Sequence, residues 1–283
     1  MIDLEQLKQV AISAAQIAGG ILKSGFGTNF KINSKEGRNN LVTEYDYAAE
    51  AAIISHIKSI FPTHTFLAEE SSGAYENREI NSTDHNYNKE DKADIGVPEN
   101  VRWIIDPLDG TVNFAHSIPI FSVSIAAEIN DVLSVGVVYD PMLDEMFVAT
   151  CKSEATLNGN NIIRVSENGE LDTAICVTGF PYTLSEKNTH SLDVFCKFVR
   201  NGNPVRRLGS AALDLAYVAA GRFDFFWEEK LKPWDVAAGV LLVQQAGGRV
   251  TTCKGEEYNI FEKTILATNK ILHKECLDII NSD

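Results

Sequence analysis

Basic residues are scarce in this chain of 283 residues: 25 Lys and Arg stand against 39 Asp and Glu, a net charge of −14. A nucleic-acid backbone needs a basic face, so nucleic acid is not expected as a partner. A phosphorylated small molecule is not excluded, because a bound cation can reverse the local field. Cysteine is sparse as well. Its five residues, Cys151, Cys176, Cys196, Cys253 and Cys276, are odd in number and scattered, with no C-x-x-C pair. Neither a disulfide framework nor a zinc site follows, and reduced thiols in a cytoplasmic protein are the simplest reading. Long apolar runs are missing too. Val236 to Val243, in the C-terminal half, is far too short to span a bilayer, and Met1-Ile-Asp-Leu-Glu5 lacks the basic start of a signal peptide. No membrane partner is expected. The six histidines, His56, His64, His85, His116, His190 and His273, show no ligand spacing and read as non-catalytic.

What is present suffices for a substantial core: 45% of the residues are hydrophobic. The length allows one large domain or two ordinary ones. Leu4 to Ile21 carries apolar residues at helical spacing, ending near Gly25. Thr43 reads as the N-cap of a helix running to Phe61, and Thr65–Ala68 as a brief strand ending at Glu69 and Glu70. Residues 72 to 100 are polar and irregular. A loop this long reads equally as a solvated insertion or as a lid over a site. Strand signals then recur at Val101–Ile105, Phe121–Glu128, Leu133–Tyr139 and Glu145–Thr150, with the spacing of an antiparallel meander. Beyond, strands are expected at Ala174–Thr178, Val205–Arg207, Phe223–Trp227, Val250–Thr252 and Thr264–Ala267. Helices are expected at Ser210–Ala220, Asp235–Ala246 and Leu272–Ile280. The composition shift near 150 divides the chain into residues 1–150 and 151–283, an α+β architecture.

The most informative stretch is Trp103-Ile-Ile-Asp106-Pro-Leu-Asp109-Gly-Thr111-Val-Asn-Phe114. An apolar, β-branched strand runs into Pro107 and Gly110, where the chain is expected to turn sharply. Asp-Gly is a common turn dipeptide, so a plain surface turn is the bland alternative. Here apolar segments flank the turn on both sides. Two carboxylates held together are costly without a cation, and hard oxygen ligands select Mg²⁺ or a similar ion. Gly110 and Thr111 could open a helix whose free N–H groups bind phosphate. Metal and phosphate at one strand end mean phosphoryl chemistry.

The run Asp106-Pro-Leu-Asp-Gly-Thr-Val-Asn-Phe114 resembles the signature of the inositol monophosphatase family, Mg²⁺-dependent, lithium-sensitive sugar and nucleotide phosphatases. Trp234-Asp235-Val-Ala-Ala-Gly239 with Gln245-Ala-Gly-Gly248, Leu67-Ala-Glu69-Glu70-Ser71 and Leu41-Val-Thr43-Glu-Tyr-Asp46 match further family motifs in order. The resemblance implies a layered αβαβα sandwich with the site between its halves. It also implies a homodimer. It assigns Glu69, Asp106, the Leu108 carbonyl, Asp109 and Asp235 to two or three Mg²⁺ ions. Glu70 would lie close by. Glu69, Thr111 and Asp46 would be catalytic: Glu69 and Thr111 orienting and deprotonating a metal-activated water, Asp46 interacting with Thr111 and with a further metal. Asp109, Gly110, Thr111, Ala211, Glu228 and Asp235 would hold a small phosphorylated polyol.

Several of these residues also have plainer readings. Asp235 could be a helix N-cap, Thr43 and Asp46 a capping box, Glu228 an exposed strand-end acid, and Lys35 a solvated lysine. Glu228 stands seven residues before Asp235, where inositol-preferring members carry a substrate-binding Glu. Inositol-1-phosphate is therefore the expected substrate. Histidinol-phosphate, fructose-1,6-bisphosphate and nucleoside 3′,5′-bisphosphate stay open, as does a non-catalytic regulatory member of the fold. Arg206 and Arg207 could serve a second phosphate or simply end a strand in solvent.

Overall fold

The computed structural model describes residues 3–35, 40–71, 100–181 and 190–282. The expectations for His85 and for nearly all of the polar segment from 72 to 100 lie outside the described residues. The first half comprises α1 (Leu4–Gly25), β1 (Ile32–Ser34), β2 (Leu41–Thr43), α2 (Glu44–Ile60), β3 (Thr65–Ala68), β4 (Val101–Asp109), α3 (Thr111–Ala115), β5 (Ser122–Ile129), β6 (Val132–Asp140), β7 (Glu145–Thr150), β8 (Ser153–Leu157) and β9 (Asn161–Ile162). The second comprises β10 (Cys176–Thr178), α4 (His190–Arg200), β11 (Val205–Arg206), α5 (Ala211–Ala219), β12 (Phe225–Glu229), α6 (Pro233–Gln245), β13 (Arg249–Thr251), β14 (Thr264–Thr268) and α7 (His273–Ile280).

Local chemistry accounts for the helices that bear on the site. Asp3 caps α1 by accepting from the N–H groups of Glu5 and Gln6, and the apolar stripe from Leu7 to Leu22 is buried. Thr43 and Asp46 form a reciprocal capping box at the start of α2. Pro233 opens α6, where a missing N–H costs nothing.

Two sheets organise the molecule. The seven-stranded sheet has the order β3-β4-β5-β6-β7-β8-β9, and the five-stranded sheet the order β11-β10-β12-β14-β13. From β4 to β9 the first sheet is an antiparallel meander, while β3 adds to β4 in parallel. Three apolar clusters separate five layers. Leu7, Ala14, Ile53 and Ile57 of α1 and α2 pack on one face of the large sheet, against Trp103, Ile105, Ile125 and Val137. Its other face, including Ile104, Ala126 and Val138, meets α5 and α6, which also pack on Val177, Phe226 and Ile265 of the small sheet. Outside the small sheet, α4 and α7 bury Val194, Phe198, Cys276 and Ile280. The result is an αβαβα sandwich. The central helices are tightly inserted. A Cβ on Gly136 of β6 would lie 2.8 Å from the Ala238 carbonyl oxygen of α6.

Two differences from the sequence expectation concern the site. The strand expected to stop at Ile105 continues to Asp109, paired to Ser124 and Ser122 of β5 across an irregularity between Asp106 and Asp109. Pro107, which has no N–H to give, falls within that irregularity. Asp235 is the third residue of α6 rather than the residue before it, and its Oδ2 accepts from the Lys232 N–H at 2.7 Å. The hairpin of β1 and β2, the strands β8 and β9, and α4 carried no signal that the sequence reading used. Among the described residues, no helix is long and apolar enough to cross a membrane.

Candidate active site

Parallel pairing of β3 with β4 aligns Leu67 with Ile104 and Ala68 with Ile105, and the Glu69 N–H continues the ladder to the Ile105 carbonyl at 3.1 Å. Glu69 thereby leaves its strand beside Asp106. The Asp106 side chain is buried, and its Oδ1 accepts from the Leu108 N–H at 3.0 Å. Asp109 follows at the strand end, and Asp235 arrives from α6 in the middle layer. Burial pushes Asp106 well above the ordinary carboxylate range, reinforced by Glu69, Asp109 and Asp235. Burial, then Asp109 and Glu69, push Asp235 the same way. Asp109 rises only to about 6, because hydrogen bonds from Ser210 and Ala212 oppose its burial. Four acidic groups from β3, β4 and α6 thus share one electrostatic environment.

Around them the supporting contacts are specific. Thr111 opens α3, and its Oγ1 stands 3.0 Å from both Asp46 Oδ1 and the Leu108 carbonyl oxygen. Asp46 Oδ2 accepts from the Thr43 N–H at 2.8 Å and the Thr43 hydroxyl at 2.6 Å. Asp46 therefore caps α2 and engages Thr111 together, so the two readings of its motif are compatible. Burial raises its carboxyl to about 6. Gly110 adopts φ 103°, and a Cβ there would lie 3.0 Å from the Ile120 carbonyl oxygen. Asn113 donates to the carbonyls of Ile120 at 2.7 Å and Leu208 at 2.8 Å, stitching α3 to the segment that leads into α5. Lys35 is not a solvated lysine: its Nζ donates to Glu69 Oε1 at 2.8 Å and to Glu70 Oε1 at 2.5 Å. Burial lifts Glu70 to about 7. The Glu70 N–H is fixed by Glu50 Oε2 at 2.7 Å.

The second half supplies a wall. Ser210 does not cap α5 with its side chain; its Oγ donates to Asp109 Oδ2 at 2.7 Å, and the Ala212 N–H donates to the same oxygen at 2.7 Å. Ala211 is the first residue of α5, and its N–H also favours the charged form of Asp109. A serine at the start of the helix expected at Ser210–Ala220 looks the same in sequence whether its hydroxyl serves its own helix or a distant carboxylate. Glu228 is not an exposed strand-end acid. It is buried in β12, and burial raises it to about 8, with Asp235 and Asp109 adding to the shift. Arg207 opposes that rise, so it lies beside the site, whereas Arg206 lies near Cys176.

The donor set fits a hard divalent cation: several carboxylates, one backbone carbonyl and no sulfur or imidazole. Among the described residues no three acidic, imidazole or thiol groups stand close enough together to hold a metal ion. Lys35 instead meets Glu69, and α5 holds Asp109. Like-charged groups spread onto such neighbours when each can find a donor.

The fold is that of a phosphatase, and the chain belongs to the inositol monophosphatase family, whose family model matches residues 3–282. Its relatives carry several kinds of name. The chain is 41% identical over 269 residues to the Nus factor SuhB of Salmonella typhimurium, covering 95% of this chain and 93% of that protein. It is 39% identical over 274 residues to the inositol-1-monophosphatase of Synechocystis, covering 96% of this chain and 88% of that one. The structure of inositol monophosphatase from Anabaena (Nostoc) superposes with a TM-score of 0.80 at 38% identity, over 99% of this chain and 96% of that one.

Proposed function

We propose that this protein hydrolyses a polyol phosphate monoester, inositol-1-phosphate above all, with Mg²⁺ as cofactor. The observation that carries the reading is that, on top of burial, Glu69, Asp109 and Asp235 raise the Asp106 carboxyl beside the Gly110–Thr111 helix opening, and Asp109 and Glu69 raise that of Asp235. Those four carboxylates and the Leu108 carbonyl would hold two or three Mg²⁺ ions. Ions held there would supply a water of lowered pKa and charge neutralisation for the transferring phosphoryl group. The chain's own groups do the rest. The N–H groups of Gly110 and Thr111, free of intrahelical partners, bind phosphate oxygens. The Thr111 hydroxyl, held by Asp46, orients the attacking water, and Glu69 takes its proton. Glu228 offers a buried acceptor to a ring hydroxyl, and Ala211 lines the same wall. Family membership further supports lithium inhibition, a homodimer and a cytoplasmic location.

Phosphate release from a panel of monoesters tests this. Inositol-1-phosphate should show a higher kcat/KM than adenosine 3′,5′-bisphosphate, and turnover should vanish in excess EDTA. Glu228→Gln should hurt inositol-1-phosphate more than an aryl phosphate. Full turnover in EDTA would remove the metal reading. A strong preference for the nucleotide would remove the polyol reading.

A second reading comes from the Salmonella relative, named as a Nus factor. A factor role of that kind in this protein would not need turnover. Complementation of a deletion strain by Asp106→Asn separates the two: rescue supports the factor role, and failure ties the phenotype to catalysis. It also reopens the expectation that nucleic acid is no partner, which a binding assay with RNA decides.

A further inference from the structure

Asp214 sits one turn into α5, its N–H on the Ser210 carbonyl at 3.0 Å. It is 1% exposed, and its Oδ1 finds no hydrogen-bond partner among the described residues. A buried carboxyl oxygen left unpaired is costly, and native structures keep few of them. Leu213 and Leu215 on either side are fully buried. An apolar residue would therefore satisfy packing here, and packing gives no reason for an acid. The electrostatic neighbours of Asp214 are Glu228 and Asp109, with Arg207 partly offsetting them. Asp214 stands four residues after Ser210 and so shares its side of α5, the side from which the Ser210 hydroxyl reaches Asp109 at 2.7 Å.

Glu228 is placed by an equally particular feature. Thr178 of β10 pairs with Trp227, so the next residue, Gly179, lies beside Glu228. A Cβ on Gly179 would come within 2.5 Å of all three carboxyl atoms of Glu228. The bare backbone leaves room for that carboxyl. Two acids from different layers, α5 and β12, therefore border the carboxylate cluster and act on each other electrostatically.

We propose that Asp214 is a specificity-determining positioning residue for the polyol end of the substrate. Glu228 accepts one ring hydroxyl, and Asp214 accepts the neighbouring hydroxyl through an ordered water that the bound ring encloses. The inference rests on the polyol reading given above. Paired acidic groups suit adjacent hydroxyls, each of which brings a proton to donate. An aryl phosphate offers no hydroxyl there. The orphan oxygen is then completed only when a polyol is bound.

The test compares inositol-1-phosphate with 4-nitrophenyl phosphate in the wild type, Asp214→Asn, Asp214→Leu, Glu228→Gln and the Asp214→Asn/Glu228→Gln double variant. The ratio of the two kcat/KM values should fall about tenfold in either Asp214 variant, the scale of one lost hydrogen bond, through KM for the inositol ester. The double variant should lose less than the product of the single effects, because the two acids serve one ring. Asp214→Leu, which removes the unpaired oxygen, should keep or raise Tm. If Leu fails to fold, the near-isosteric Asn variant decides. An unchanged ratio in a wild type that does prefer the inositol ester overturns the role of Asp214 alone. Equal losses on both substrates reduce Asp214 to a structural residue. A wild type without preference for the inositol ester removes the polyol reading, and this inference with it.

Discussion

Asp106 is buried and has Glu69, Asp109 and Asp235 as like-charged neighbours. Replacing it with Asn keeps the shape and the acceptor for the Leu108 N–H, and removes one buried charge. Activity at saturating Mg²⁺ should fall at least about tenfold, as for other groups that stabilise transition-state charge. The metal-free protein should become more stable. Relief of about 1 kcal/mol would raise Tm by about 2–4 °C in a protein of this size class. Calorimetry beside a phosphate-release assay checks both. A variant that keeps its activity removes Asp106 from the chemistry. Thr111 makes a second case. Thr111→Ala should lower kcat about a hundredfold, in the range of positioned proton-transfer partners, and Thr111→Ser should restore most of it, as steady-state kinetics can show. Asp106 and Asp109 were legible in the sequence because an apolar run leads into them and Gly110 follows, although Pro107, read as a strand stop, lies inside β4. Asp214 was not legible. A lone acid within an apolar helix gives no sequence sign of which layer it faces.

At the scale of elements, the site depends on the ends of β4 and α5. The first turn of α5 holds Asp109 by Ser210 Oγ and the Ala212 N–H, each at 2.7 Å. Ser210→Ala should remove about 0.5–1.5 kcal/mol of that hold, the net worth of one hydrogen bond. Mg²⁺ dependence should then shift to higher concentration while the backbone contact keeps the fold, and a titration of rate against Mg²⁺ reads it. Gly110→Ala acts on the strand-to-helix connection. A positive φ together with a crowded Cβ should cost about 1–3 kcal/mol, visible as a lower Tm. Element legibility followed amphipathicity. The meander and the two helices beside the site showed clear apolar periodicity. The strand β1 is exposed throughout, so no alternation marks it. The extension of β4 past Ile105 was hidden because it depends on Ser122 and Ser124 of β5, partners that sequence does not place.

For the whole molecule, buried acids tie stability to pH. Asp46 and Asp109 are raised to about 6, Glu70 to about 7 and Glu228 to about 8 by burial. Each folded pKa lies above its unfolded value, so the native state binds more protons between about pH 4 and pH 8. Stability of the metal-free protein should therefore fall as pH rises through that window. Mg²⁺ should restore it most at the alkaline end, because it binds the deprotonated carboxylates. Tm measured from pH 5 to pH 8, with EDTA and with Mg²⁺, checks the sign; a flat or rising EDTA profile contradicts it.

The middle layer has a consequence during synthesis. Once β9 has left the ribosome, the large sheet has all its strands, and α1 and α2 can cover one face. Its other face, with Ile104, Ala126, Val138 and Phe147, must wait for α5 and α6. Asp235 travels on that same late helix. A nascent or truncated chain is therefore both sticky and short of one carboxylate, a natural client for chaperones and an unlikely phosphatase. Docking of α6 hides the exposed sheet face and delivers the last acid in one event, so enzymatic competence coincides with the loss of the surface that quality control would recognise.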